Sequence, residues 1–422
     1  MDRGSALVTF LPLLLSFALF GGIQACDNGQ CKIAESCSQT SDCMPGLACS
    51  NLCTNATRCL RTQSFNVLGL NNSMPFNKYS WLTTHNSFSI KGSPSLTGTP
   101  ILTFDNQEDS VTQQLQNGVR GLMLDMYDFM NDIWLCHSFQ GQCQNFTAFQ
   151  PAINTLREIE TFMSQNPSEV ITIFIEDYVR RSNAVSTLFA NAGLRKYWFP
   201  VSRMPKDGSD WPSVADMVSN NQRLVVFTSI SSKESSEGIA YQWRYVVENQ
   251  YGDGGLQPGQ CSKRAESTAL DNKGVSLFLE NYFPTNPADT QACRDNSRPL
   301  SQVISACHNA AGNRWANFLA VDFYKRSTGG GSFQAVDVLN GNILCGCGDV
   351  HECQADLARG VCNTTNTPQV AQNSDDGSPD SQQQQPSQPR SFPSTSPPRI
   401  APPMIGLLVL LLCSWSFLHD QH

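Results

Sequence analysis

The sequence predicts an α/β fold, a TIM-type (β/α)8 barrel over residues 65–362 preceded by a small disulfide-rich module. Three observations point there. The apolar runs in this stretch are short and often continuous, as in strands covered on both faces. Helix-period segments separate several of them, and the length suits a ring of parallel strands better than a simple open sheet. Polar residues gather at the C-terminal ends of several runs, where barrel proteins place their functional groups.

From the N-terminus, Ala6 to Phe20 form an apolar run of 15 behind Arg3 and ahead of Gly21, Gly22 and Ala25. That is the order of a cleavable secretory signal, assigned to residues 1–25. The run is too short to cross a bilayer, which needs about 20 apolar residues. Residues 26–64 hold Cys26, Cys31, Cys37, Cys43, Cys49, Cys53 and Cys59 among few large apolar residues, so cross-links rather than a core must hold this module. Seven is odd, so at least one of them pairs outside the block or stays free. Cys136, Cys143, Cys261, Cys293, Cys307, Cys345, Cys347, Cys353 and Cys362 bring the set to 16. Such cysteine usage belongs to an oxidising compartment, and a window without histidine disfavours a zinc cluster.

In the barrel region the expected strands are Tyr79 to Thr84, Gly121 to Met126, Asp132 to Cys136, Val170 to Glu176, Leu224 to Thr228, Ser276 to Glu280 and Phe318 to Phe323. Phe149 to Gln165 predicts an amphipathic helix, with Ile153, Leu156, Ile159 and Met163 mostly on one face. Ser110 to Asn117, Ala184 to Ala192, Val214 to Asn220 and Ser301 to Asn309 predict shorter helices. Residues 363–394 are rich in Ser, Gln and Pro and read as an extended stalk. At the start of residues 395–422, the attachment propeptide, the small residues Ser394, Thr395 and Ser396 straddle the boundary and lead through a Pro-rich spacer to the apolar stretch Met404 to Leu418, with no Lys or Arg behind it. This order is that of a GPI-attachment signal whose tail is removed. The expected location is the secretory pathway and then the outer face of the plasma membrane. Sequons at Asn55, Asn71, Asn145 and Asn363 would carry glycans. A net charge of −8 and a pI near 5.3 lack the basic footprint of a nucleic-acid partner.

The strand ends carry the chemistry. His85 and Asn86 follow the first run, Asp125 closes the second, His137 follows the third, Glu176 ends the fourth, and Asp322 ends the last. Two of only six histidines stand at such ends. The segments Trp81-Leu82-Thr83-Thr84-His85-Asn86-Ser87-Phe88, Gly118 to Asp125, Leu135-Cys136-His137-Ser138 and Val170 to Glu176 resemble, in order and spacing, the catalytic X domain of phosphatidylinositol-specific phospholipases C and related barrel phosphodiesterases. With its leader, cysteine module and tail the whole chain is similar to plant extracellular proteins that carry this domain.

The resemblance implies cleavage of an inositol-containing phospholipid or glycolipid, with His85 as general base and His137 as acid. Asp322 is the candidate carboxylate that orients His85. Bacterial members have an arginine where Asp125 stands, whereas metal-dependent members have a carboxylate. Asp125, with Asn86 and Glu176, therefore implies a Ca2+ site. Met123 stands where the metal-dependent branch has a further acidic ligand, and a thioether suits a hard cation poorly. The alternative is a barrel without turnover that binds a lipid headgroup, or a cysteine module that binds cell-wall glycan. Trp211, Trp243 and Tyr245 are read as core aromatics, with stacking on a sugar or lipid headgroup as the alternative, and Lys233 and Arg244 are candidate phosphate contacts with no motif behind them.

Overall fold

The computed structural model describes residues 26, 28–138 and 141–366. The expected leader and attachment tail, and nearly all of the stalk, lie outside the described residues.

The N-terminal module is a hairpin, β1 (Leu47–Ser50) and β2 (Arg58–Arg61), with Cys49 opposite Cys59. Its buried centre is cystine, as its shortage of large apolar residues requires: Cys31, Cys37, Cys43 and Cys59 cluster there, and Cys26–Cys31, Cys37–Cys49 and Cys43–Cys59 are bonded. The odd seventh, Cys53, bonds Cys293. Arg61 reaches buried Asp337, Ser64 N–H donates to the Asn117 carbonyl at 2.9 Å, and Arg326 donates to the Leu52 carbonyl at 2.5 Å. Module and barrel region thus form one compact unit.

The barrel region follows as α1 (Val67–Leu70), β3 (Trp81–Thr84), α2 (Val111–Gln116), β4 (Gly121–Phe129), β5 (Asp132–Cys136), β6 (Ala148–Pro151), α3 (Ala152–Gln165), β7 (Ile171–Tyr178), α4 (Ala184–Asn191), α5 (Val214–Ser219) and β8 (Leu224–Thr228). It continues as α6 (Lys233–Ser236), β9 (Ala240–Tyr241), α7 (Gln242–Tyr245), β10 (Val246–Glu248), β11 (Leu277–Tyr282), α8 (Asp289–Asp295), α9 (Arg298–Ala310), β12 (Phe318–Val321) and α10 (Gly331–Leu344). Eight strands run parallel in the order β10-β11-β12-β3-β4-β7-β8-β9, so the first and last of them in the chain are neighbours. The sheet curls as the barrel expectation requires, but among the described residues no ladder joins β9 to β10, and the ring is open there. The predicted strand at 132–136 also departs from expectation: β5 folds back antiparallel on β4 and pairs β6, an extension of the sheet and not a stave.

Period-2 alternation splits the strands between two cores. Trp81, Phe174, Phe227, Leu277, Leu279 and Phe318 fill the concave side, with Phe174 packed on Phe227 and Phe318 at 5.3 and 5.1 Å between centroids. Leu82, Leu122, Ile173, Val226, Phe278 and Leu319 face the helices, meeting Leu115, Leu156, Ile159, Phe189 and Ile304. Helix starts follow capping chemistry: Ser110 and Gln113 form a capping box on α2, and Ser213 caps α5. Gly121 is required where β4 meets β3, because a Cβ there would collide with the Thr83 side chain.

On the helix-facing side of β11 lies Glu280, fully buried, its Oε1 without a hydrogen-bond partner among the described residues. Burial raises its pKa from 4.5 to about 8. The folded protein therefore keeps a proton that the unfolded chain releases between those values, so stability is full below pH 4.5 and declines toward pH 8. Glu280→Gln is expected to stabilise the fold by on the order of 3 kcal/mol at pH 8 and by almost nothing at pH 4.5. Denaturant unfolding at the two pH values checks this; a gain independent of pH would sink it.

Candidate active site

The pairing of β3 with β12 sets Thr84 beside Val321, which brings the next residues, His85 and Asp322, together. His85 Nδ1 lies 3.0 Å from Asp322 Oδ1. The Asn106 amide donates to the same oxygen at 2.9 Å. A carboxylate at that nitrogen holds the proton on Nδ1 and leaves Nε2 with its lone pair free, the form a general base needs. The ring is stacked flat on Phe283, 3.6 Å away and 5° from parallel. Gln107 Nε2 donates to the carbonyls of His85 and Val321 at 2.8 and 3.1 Å, pinning both strand ends. The chain turns sharply after each of the pair: Asn86 and Phe323 have φ of 41° and 45°, left-handed values uncommon outside glycine.

His137, after β5, is held by its backbone N–H to the Thr147 carbonyl at 3.0 Å, and its Nδ1 stands 3.1 Å from the Phe104 carbonyl. With Nδ1–H donated there, Nε2 is the working nitrogen. Burial is the main cause that lowers its pKa from 6.5; the nearby charge of His85 adds to this, while the Phe104 bond, Asp322 and Glu176 oppose it.

The ladder between β4 and β7 sets Met123 beside Phe174, Asp125 beside Glu176 and Tyr127 beside Tyr178. The two tyrosine rings stack at 4.2 Å, and the Tyr178 hydroxyl donates to Glu176. Burial, then the charge of Glu176, pushes the Asp125 carboxyl well above the usual carboxylate range, and Arg264 partly offsets them. One cavity is lined by His85, Met123, Asp125, Glu176, Trp243 and Arg264, among others.

The structure therefore gathers His85, Asp125 and Glu176 around one space, ties Asp322 to His85 and sets His137 within their electrostatic reach. Asn86 is placed differently: it is buried, its amide nitrogen faces Asn106 at 3.4 Å, and it does not line the cavity. Lys233 is no phosphate contact, because its ammonium is buried on Asp177 at 2.7 and 2.8 Å and on the Val179 carbonyl at 2.7 Å. Arg244 is taken up by Glu234 at the surface. Trp211 and Tyr245 are core as expected, whereas Trp243 lines the site. Sequence reasoning missed Arg264, Asn106 and Gln107, which sit in long connections without periodicity or motif. The only signal for Asn106 and Gln107 is their place between two expected elements that follow a strand-end histidine.

Ca2+ takes about six to eight oxygen ligands. The cavity offers two carboxylates, the side-chain oxygens of Ser229 and Gln242, a thioether in the position of a further acid, and a guanidinium that repels a second cation. This donor set does not fit the ion that the resemblance implies.

The site is thus a curled parallel sheet with a strand-end histidine held by a carboxylate and a second histidine within its electrostatic reach. The PI-PLC X family model matches residues 77–340, and the chain belongs to that family. It is 56% identical over 371 residues, 86% of each chain, to a PI-PLC X domain-containing protein of Arabidopsis thaliana. An uncharacterized secreted protein of Arthroderma benhamiae is 22% identical over 257 residues, 56% of each chain. Among solved structures, phosphatidylinositol-specific phospholipase C from Listeria monocytogenes matches with a TM-score of 0.41 and 16% identity, over 64% of this chain and 95% of that one.

Proposed function

We propose that the protein is a cell-surface phosphodiesterase that cleaves an inositol-containing phospholipid or glycolipid. The observation that carries the reading is the His85–Asp322 pair, 3.0 Å apart at adjoining strand ends, with His137 within its electrostatic reach. In the proposed step, His85 Nε2 takes the proton of the inositol hydroxyl next to the phosphate as that oxygen bonds to phosphorus. The bond from phosphorus to the leaving alcohol breaks, and the leaving oxygen takes a proton from His137. The products are a cyclic inositol phosphate and the free alcohol, with both histidines in exchanged protonation states. Eight disulfides among the described residues support an oxidising, extracytosolic setting, and a GPI anchor is part of the same proposal. One observation favours the alternative of a headgroup-binding protein without turnover: Met123 lines the cavity where an acid would aid a metal.

The test is release of cyclic phosphate from inositol phospholipids and glycolipids by the secreted chain, followed against pH. His137 must be protonated to act, and its pKa lies below 6.5. The alkaline limb of kcat/KM is therefore expected below pH 6.5, with activity falling as pH rises through it. A limb well above that value would remove His137 from the acid role, and headgroup binding without turnover on any substrate would favour the alternative.

A further inference from the structure

Phosphodiester cleavage gathers negative charge on the phosphoryl oxygens, and a site that carries it out needs a cation aimed at them. Of the residues lining the cavity, Arg264 alone is a cation, since the rest of its wall is His85, Asp125, Glu176 and uncharged groups. Arg264 comes from the connection between β10 and β11, far in sequence from the other site residues. It is held from several sides. Its Nη1 donates to Glu248 Oε1 at 3.2 Å, and its Nε and Nη2 donate to the two oxygens of Glu266 at 3.0 and 3.2 Å. The rings of Trp243 and Tyr251 lie 5.1 and 4.7 Å from its central carbon. Glu248 is itself fixed by Gln242, Trp243 and Asn281 at 2.7 to 2.8 Å.

A guanidinium has five N–H donors. These bonds use three, leaving one N–H on each terminal nitrogen as donors for the oxygens of a phosphate. The side chain is 15% exposed, so its rotamer is set before a ligand arrives. The same guanidinium faces Asp125 and Glu176 electrostatically, occupying the role for which a Ca2+ cage would need a further acid in place of Met123.

We infer that Arg264 supplies the fixed positive charge that meets the phosphate of the bound headgroup, so that the site works without a divalent cation. This rests on the function proposed above for its ligand class. Glu248 and Glu266 act through Arg264 as positioning residues, and the two aromatic rings keep water from its faces.

The test is calorimetric binding of myo-inositol 1-phosphate to the full chain, in excess EDTA and in millimolar CaCl2, beside turnover in the same buffers. The wild type is expected to bind equally in both. Arg264→Met is expected to weaken binding about 10- to 100-fold in both and to lower kcat/KM about 100- to 1,000-fold. Arg264→Lys keeps the charge and its ion pairs but loses those two free donors, so it recovers part of the affinity at a wild-type unfolding temperature; a merely structural role for Arg264 would leave its binding at the wild-type level. Binding or turnover that EDTA abolishes, with Arg264→Met indistinguishable from the wild type, overturns the inference and leaves the proposed enzyme standing. EDTA-insensitive binding lost in Arg264→Met, with no turnover on any lipid, sustains the inference and overturns the enzyme. A wild type that binds no inositol phosphate in either buffer overturns the inference.

Discussion

Replacing His85 with alanine is expected to lower kcat/KM on an inositol phosphodiester by about 1,000-fold while leaving the fold intact. General base catalysis by a positioned side chain contributes about 100- to 10,000-fold, and His85 is positioned on every side: Asp322 at Nδ1, Phe283 beneath the ring, Gln107 on the carbonyl. His137→Ala is expected to fall in the same range. The double variant should lose little more than either single one, because base and acid act in one step. Asp322→Asn separates orientation from chemistry. Its amide can present the wrong atom to Nδ1 and so invert the tautomer, giving a loss of about 100-fold with little change in KM. The unfolding temperature of each variant is measured alongside; a folded His85→Ala that keeps a third of its activity would end the two-histidine reading.

Removing the Arg61 guanidinium, as Arg61→Met, is expected to cost about 3 to 5 kcal/mol of stability at pH 8, because it leaves the Asp337 carboxylate buried without its cation. Arg61 and Asp337 have side chains 8% and 2% exposed, so solvent screens the pair little. Burial raises the Asp337 pKa from 3.8 to about 6, with Arg61 and His351 opposing and Asp349 reinforcing. The folded state thus binds the Asp337 proton more tightly than the unfolded chain does, and this group's contribution declines as pH rises from 3.8 to about 6. Without Arg61 the carboxyl can stay neutral at low pH but must ionise or hold its proton at a cost above it. The penalty is therefore smaller below pH 6 than at pH 8. Unfolding curves at the two pH values decide the point, and equal losses at both would mean that packing, not charge, joins the module to α10.

What could be read in the sequence follows from what local patterns encode. The strands bearing His85, Asp125, Glu176 and Asp322 are apolar runs buried on both faces, so their ends, and the residues just beyond, were visible. The tie between His85 and Asp322 was guessable as a role, but the contact depends on β12 lying beside β3, a pairing that spans most of the chain. β9 and β10 have two and three residues, too few to show a period, which is also why the opening of the ring between them was not foreseen. Asp132 to Cys136 looks like any other buried run; only the turn at Met130 and Asn131, with φ of 51° and 61°, sends it back along β4. Arg264 was out of reach, since it acquires its place from Glu248, Glu266 and two aromatic rings, with Cys261 close by anchored to Cys307. Cysteine parity showed that one N-terminal cysteine must pair outside its block or stay free, and no local rule could say which cysteine or with what partner.

The bond from Cys53 to Cys293, 240 residues apart, also sets an order on manufacture. A chain made from its N-terminus exposes Cys53 long before its mate exists, while three nearby pairs in the same module can already close. For that interval the module of the growing polypeptide carries a lone thiol among fresh disulfides, open to exchange with each of them. Correct sealing thus waits until α8 has been synthesised, and a translation product halted before it would leave Cys53 exposed, a chemical flag by which an oxidative folding machinery can tell unfinished molecules from finished ones.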